Sequence, residues 1–171
     1  EGGSTPSFVA DLLHWQHEPI ALMPDEEYDR SGCYSGSAVD NAGKLTLCYT
    51  GNVKFDDGGR TAWQCLATEN ADGTFRKIGP VLPLPEGYTG HVRDPKVWRH
   101  KDRWYMVLGA QDRQKRGKVL LFSSPDLHQW RSGGQFDGAG GVAQGVELLV
   151  GRGEAGACGA DDAADLLELV E

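Results

Sequence analysis

"SGSAVDNAGKLTLCYTG", residues 35–51, lines up with "RDPKVWRHKDRWYMVLG", residues 93–109, at a constant offset of 58. In each copy a short run ends in a turn, "DNAGK" or "RHKDR", and an alternating apolar run returns from it. Alternation with period two is what a strand with one buried face requires, so each copy reads as a β-hairpin. Each returning strand is followed by a polar loop and a further strand, in "TAWQCLATENADGTFRKIGPVL" and "GKVLLFSSPDLHQW". Within these, "CLATENADGTF" and "LLFSSPDLHQW" align at an offset of 55, and "SFVADLLHWQHEPIAL" is an earlier copy with Trp15 where Phe75 and Trp130 fall. Four short strands per repeat, closed by an aromatic anchor, describe the blade of a β-propeller. Strands are predicted over 34–40, 45–50, 62–68, 74–79, 95–100, 103–109 and 118–123, with Asn41, Gly43, Asp72, Gly73 and Asp102 as turn residues between them. A β-sandwich would account for the density of strands but not for the long period.

The expected architecture is therefore all-β, a partial propeller of two to three blades over residues 1–132. Closure needs at least four blades, so the strands at either limit would lack neighbours, and an unpaired strand edge invites association. From residue 133 to 171 the alternation stops and the chain turns rich in glycine and alanine. This second stretch reads as an irregular tail: either its "DDAADLLELVE" forms a short acidic amphipathic helix, or the whole segment is a reading-frame error or a degenerate end.

Charge and composition narrow the class. Seventeen basic against 25 acidic side chains give a net charge of −8, with no basic run longer than the Arg113 to Lys118 stretch. That disfavours nucleic acid and anionic membranes as partners and suits a small polar ligand. No stretch approaches the ~18 apolar residues of a membrane span, and no secretory signal is visible. The cysteines (33, 48, 65 and 158) have no metal-ligand spacing. Cys48 and Cys65 sit inside apolar runs, where a thiol acts as a small hydrophobe, so a reducing, cytoplasmic setting is expected. His14 and His17 in "HWQHEP" are read as structural, and Trp98 and Trp104 as blade core.

The segments "LLHWQHEPIALMPDEEYDRSGCYSGSAV", "LTLCYTGN", "QCLATENADGTF" and "HVRDPKVWRHKDRWYMVLGAQD" carry a specific resemblance. Together, over residues 9 to 131, they resemble the β-fructofuranosidases of glycoside hydrolase family 32, most of all the bacterial sucrose-6-phosphate hydrolase or invertase type. The resemblance implies a five-bladed propeller with a funnel-shaped active site at its axis and retaining hydrolysis of fructosyl bonds. It implies sucrose, sucrose 6-phosphate or a fructan as substrate, and no metal or other cofactor.

The site residues follow from the motifs. In "HVRDPKVW" the proline is expected to hold Asp94 in extended geometry at a strand start. By resemblance the Arg-Asp-Pro carboxylate, here Asp94, is a transition-state stabiliser that binds fructosyl hydroxyls, and Arg93 helps position its carboxylate network. A fixed carboxylate suits an oxocarbenium-like transition state. "YSGSA" matches a substrate-contacting stretch, which makes Tyr34 and Ser35 sugar contacts, an aromatic wall and a hydroxyl for a ring with apolar and polar sides. The family's Asn-Asp-Pro-Asn-Gly nucleophile motif does not occur in this sequence. At the distance of its Trp-Glu-Cys-Pro acid/base motif the chain reads "QGVELLVG", where Glu147 falls at about the right spacing without the flanking cysteine and proline. Asp25, Glu26 and Glu27 in "MPDEEYD" are expected to form a solvated loop. The chain is thus expected to be a fragment of a fructosidase that does not turn over substrate alone. The alternatives are a non-catalytic fructoside-binding remnant and a propeller scaffold for other proteins.

Overall fold

A computed structural model describes residues 7–8, 13, 16–17 and 19–137. A two-stranded ribbon, β1 (Ser7–Phe8) with β2 (Gln16–His17), precedes two four-stranded antiparallel sheets. The first sheet runs in order β3 (Cys33–Asn41), β4 (Lys44–Lys54), β5 (Arg60–Glu69) and β6 (Phe75–Leu82). The second is β7 (Tyr88–His100), β8 (Arg103–Asp112), β9 (Gly117–Ser124) and β10 (Arg131–Asp137). Each sheet is a simple meander, which is the topology of a propeller blade, and no helix occurs among the described residues.

Turn chemistry explains where the strands reverse. β3 and β4 join through Ala42 and Gly43, at φ 55° and 81°, the doubly left-handed turn whose twist matches flanking strands. β5 and β6 join through a loop in which Asp72 Oδ1 accepts from the Thr74 amide at 3.0 Å, with Gly73 at φ 82°. The anchor Phe75 opens the outermost strand of the first sheet and Trp130 immediately precedes that of the second, and both are partly buried against core residues. Trp15 lies outside the described residues.

The main core lies between the sheets. Cys48 and Leu66 of the first sheet meet Val92, Val97, Trp104, Met106, Leu108, Leu120 and Phe122 of the second. The other face of the first sheet (Tyr49, Cys65, Ala67) packs under Leu22 and Tyr28 from the segment before β3. On the far face of the second sheet Trp98 stacks on Tyr105 with centroids 5.8 Å apart. Trp98 and Trp104 thus both pack within the second blade. Cys33, Cys48 and Cys65 are free thiols.

Three expectations differ from the structure. β7 begins at Tyr88, well before the predicted residue 95, because its first half is an irregular strand with register shifts between Tyr88 and Val92 and between Arg93 and Lys96. β10 was not predicted, and it crosses the expected boundary after residue 132. It is an outer strand paired only with β9, with a register shift at Gly133, so it needs no apolar face of its own. Asp94 is not extended: its φ is 62°, in the left-handed region.

Candidate active site

β3 and β7 are the first strands of their sheets and lie against each other, as the innermost strands of neighbouring blades do. The predicted site residues sit where both strands are kinked. In β3, Tyr34 pairs with Thr50 and Gly36 with Tyr49, so Ser35 is an extra residue in a bulge. In β7, Arg93 pairs with Gly109 and Lys96 with Val107, which leaves one extra residue across Asp94 and Pro95. Bulges of this kind re-aim side chains beside functional sites. Ser35 is exposed, Tyr34 half-buried, and the Tyr34 ring folds back over Gly32, where a Cβ would stand 2.8 Å from Cε1. Gly32 sits at φ 135° and has no Cβ to interfere.

Asp94 holds a conformation that costs a non-glycine residue about 1–3 kcal/mol, and the surroundings over-determine it. The Asp94 amide donates to Thr50 Oγ1 at 3.1 Å. The Thr50 hydroxyl donates to Gln64 Oε1 at 2.8 Å, and Gln64 Nε2 donates to the Val92 carbonyl at 3.2 Å. On the other side, Ser37 Oγ donates to the Pro95 carbonyl at 2.8 Å and accepts from the Val97 amide at 2.9 Å. Thr50 and Gln64 are 1% and 2% exposed, whereas the Asp94 side chain is 57% exposed. A rigid backbone thus presents a carboxylate to solvent.

Around that carboxylate the charge is positive. Arg93 Nε lies 3.7 Å from Asp94 Oδ2, with both side chains partly exposed, so the pair orients more than it stabilises. Arg93 Nη1 is 3.3 Å from His91 Nδ1. A guanidinium can only donate, so this His91 nitrogen is unprotonated. Burial first, then the charges of Arg60 and Arg93, hold the His91 pKa below its ordinary 6.5. Arg60 closes the group: a Cβ on Gly90 would meet the Arg60 backbone carbonyl at 2.4 Å.

In the acidic loop Asp25, Glu26 and Glu27 are exposed, while Asp29 behind them is buried. Glu27 is exposed and bonds Arg30. Asp25 reaches Lys77 Nζ at 2.6 Å, and Asp29, fully buried, accepts from the same ammonium at 2.5 Å and from the Tyr49 hydroxyl at 3.0 Å. Burial opposes the Lys77 charge, but hydrogen bonds to Asp25 and Asp29 outweigh it and raise the pKa above its usual value. This cluster fixes the loop that delivers Tyr34 and Ser35. Asp29, Lys77, Thr50 and Gln64 were missed by sequence reasoning; the available signal was a polar residue at an inward strand position, as in "CYTG" and "WQCL". Glu147, His14 and Cys158 lie outside the described residues. Among those described, no group of three His, Cys, Asp or Glu side chains is arranged to hold a metal ion.

Two meander sheets packed as neighbouring blades, with a carboxylate and an adjacent arginine on a kinked inner strand, are the architecture of a propeller. The chain belongs to glycosyl hydrolase family 32: residues 7–148 match its N-terminal domain. It is 89% identical over 130 residues to the sucrose-6-phosphate hydrolase of Salmonella typhimurium, which covers 76% of this chain and 28% of that protein. The sucrose-6-phosphate hydrolase of Lactobacillus gasseri superposes with a TM-score of 0.73 at 35% identity, over 78% of this chain and 28% of that one. A β-fructofuranosidase of Bombyx mori, solved as a mutant in complex with sucrose, superposes with a TM-score of 0.65 at 39% identity, over 79% and 29% of the two chains. The chain therefore spans under a third of the length of these relatives.

Proposed function

We propose that this chain supplies the Arg-Asp-Pro half of the active site of a β-fructofuranosidase that cleaves sucrose 6-phosphate. Asp94 binds fructosyl hydroxyls and stabilises the positive charge that develops on the ring as the glycosidic bond breaks. Tyr34 and Ser35 line the sugar, and Arg93 orients the Asp94 carboxylate. The observation that carries this reading is the exposed Asp94 carboxylate on a left-handed, hydrogen-bonded bulge next to Arg93. Retaining hydrolysis also uses a nucleophilic and an acid/base carboxylate, and the proposal assigns neither among the described residues. The basic group of Arg60, His91 and Arg93 supports a phosphorylated substrate over a neutral one, since two guanidiniums beside the site favour an anion.

The test uses a chimera in which the matching 130 residues of this chain replace those of the full-length Salmonella typhimurium relative. Asp94→Asn keeps the shape and removes the charge, and kcat is expected to fall by ~10²-fold or more, as for lost electrostatic stabilisers. Ser35→Ala is expected to act mainly on KM. The ratio of kcat/KM for sucrose 6-phosphate to that for sucrose is expected to exceed one and to shrink in Arg60→Gln. A kcat within a few-fold of the parent in Asp94→Asn would make Asp94 structural and the reading wrong.

A further inference from the structure

We infer that Thr50 and Gln64 are positioning residues for catalysis: a hydrogen-bond relay from the neighbouring blade holds the Asp94 backbone in the conformation that aims its carboxylate into the site. The inference rests on the assignment of Asp94 as the stabilising carboxylate and adds what keeps it in place.

The relay is directional and closed. It leaves β7 at the Asp94 amide, passes through the Thr50 hydroxyl and the Gln64 amide group, and returns to β7 at the Val92 carbonyl. Each atom has one available role. The backbone amide can only donate, so Thr50 Oγ1 accepts there and is free to donate its own proton onward. Gln64 Oε1 takes that proton, and the Gln64 Nε2 group is left to donate to Val92. The two ends of the relay stand two residues apart on the same strand and bracket Arg93. This is the stretch where the bulge interrupts the β7–β8 ladder and its backbone groups need other partners.

Position explains the specificity. Thr50 and Gln64 are Cα partners across β4 and β5, so their side chains stand on one face of the first sheet, the face turned to the second blade. Cys48 and Leu66 on that face belong to the apolar core between the blades, and the buried Asn52 beside Thr50 bonds the Ser31 carbonyl instead. Two buried polar residues in such a seam would serve packing less well than apolar residues of the same volume, unless the partner they satisfy must be held. The partner they satisfy is the backbone that flanks Asp94. A proline follows Asp94 and disfavours helical geometry there, so without the relay the residue would relax toward extended φ and swing its carboxylate. A misplacement of ~1 Å in a group that acts at the transition state costs on the order of 10²-fold in rate.

The experiment uses the full-length chimera described above and compares Thr50→Val, Thr50→Ser and Gln64→Met with Asp94→Asn by steady-state kinetics and thermal melts. Thr50→Val keeps the shape and removes both hydrogen bonds; Thr50→Ser keeps both bonds; Gln64→Met keeps the volume and removes both of its bonds. The inference expects Thr50→Val and Gln64→Met to lose roughly 10- to 100-fold in kcat with KM changed less than threefold. It expects Thr50→Ser to stay near the parent. A purely structural role would lower the melting temperature and leave kcat of the folded fraction intact, and that result overturns the inference. If Thr50→Val fails to fold, Gln64→Met and a crystal structure of it decide: Asp94 retained at positive φ with full kcat refutes the relay. Parent-like kcat in Thr50→Val and Gln64→Met, with Asp94→Asn inactive, refutes the relay alone. Parent-like kcat in Asp94→Asn instead refutes the site assignment beneath it.

Discussion

Replacing Lys77 by methionine breaks an ion pair whose carboxylate, Asp29, is fully buried. The Lys77 side chain is 12% exposed, and its ammonium bonds the side chains of Asp29, 0% exposed, and Asp25, 68% exposed. Without Lys77 the buried Asp29 carboxylate keeps the Glu26 amide at 3.0 Å, the Tyr49 hydroxyl at 3.0 Å and a weak thiol contact from Cys33 at 3.5 Å. All three donors are neutral. Removing one partner of a buried pair leaves an uncompensated charge and destabilises by ~3–5 kcal/mol. With a urea m-value of ~2 kcal/mol/M, the unfolding midpoint should drop by ~1.5–2.5 M. The arm from Lys77 to exposed Asp25 is solvent-screened, so Asp25→Ala should lose less than ~1 kcal/mol. The assay is equilibrium urea unfolding of the full chain by tryptophan fluorescence, with unchanged m required for each variant. Adding Asp29→Asn to Lys77→Met should recover part of the loss, because the buried charge is then gone while an acceptor for the Glu26 amide remains. A Lys77→Met loss under ~1 kcal/mol, or no recovery in the double variant, would show that the cluster is not the buried charge pair described.

Gly36→Ala should prevent the native β3–β4 pairing, since the new Cβ would stand 1.8 Å from the Cys48 carbonyl oxygen; Gly43→Asn, with nothing within 4 Å, should unfold at nearly the parental temperature. Burial pushes the thiols of Cys48 and Cys65 up from 9.0 to about 12, and burial with the Asp29 charge does the same for Cys33. The folded state then keeps protons that the unfolded state releases, so stability is full below pH 9 and should fall between pH 9 and 12, read as a dropping urea midpoint that a Cys48→Ala and Cys65→Ala double variant flattens. His91 has the opposite linkage at the acid side: its lowered pKa means that the unfolded state binds a proton first, so stability should decline as pH falls below 6.5, and His91→Asn should remove that decline in thermal melts.

How far the sequence reveals this arrangement depends on where a residue's role is written. The blade repeat is legible because strands that bury one face against the core alternate, and the alternation recurs at 58 and 55 residues in the two copies. β10 is not legible, because an outermost strand satisfies its backbone on one side and has little to bury; "RSGGQFD" carries no alternation to find. The motif "RDP" marks Asp94, yet the proline rule predicts extended geometry where the structure has φ 62°. The local rule lost to contacts that lie 44 residues away in sequence at Thr50. Gln64 reaches Val92 over 28 residues and Ser37 reaches Pro95 over 58, and no local pattern encodes either. Lys77 and Asp29, 48 residues apart, escaped for the same reason.

The two bulges bring the fold and the proposed site together. At the offset of 58, Gly36 and Asp94 are equivalent residues of the repeat; Gly36 directly follows the extra residue Ser35 of its strand, and Asp94 lies in the two-for-one stretch of its own. In the first blade the kink brings the backbone so close to Cys48 that only glycine fits. In the second blade a Cβ is tolerated, and the residue is an aspartate whose backbone is tied to the first blade by Thr50. The first blade therefore acts twice: its own bulge presents Tyr34 and Ser35, and its interior face fixes the neighbour's bulge at Asp94. Neither sheet alone could place these groups, because the hydrogen bonds that hold Asp94 come from β3, β4 and β5 while its strand is β7. A site divided in this way across a blade interface is rigid because the interface is a packed core, and a substitution in that core should reach the carboxylate without touching it.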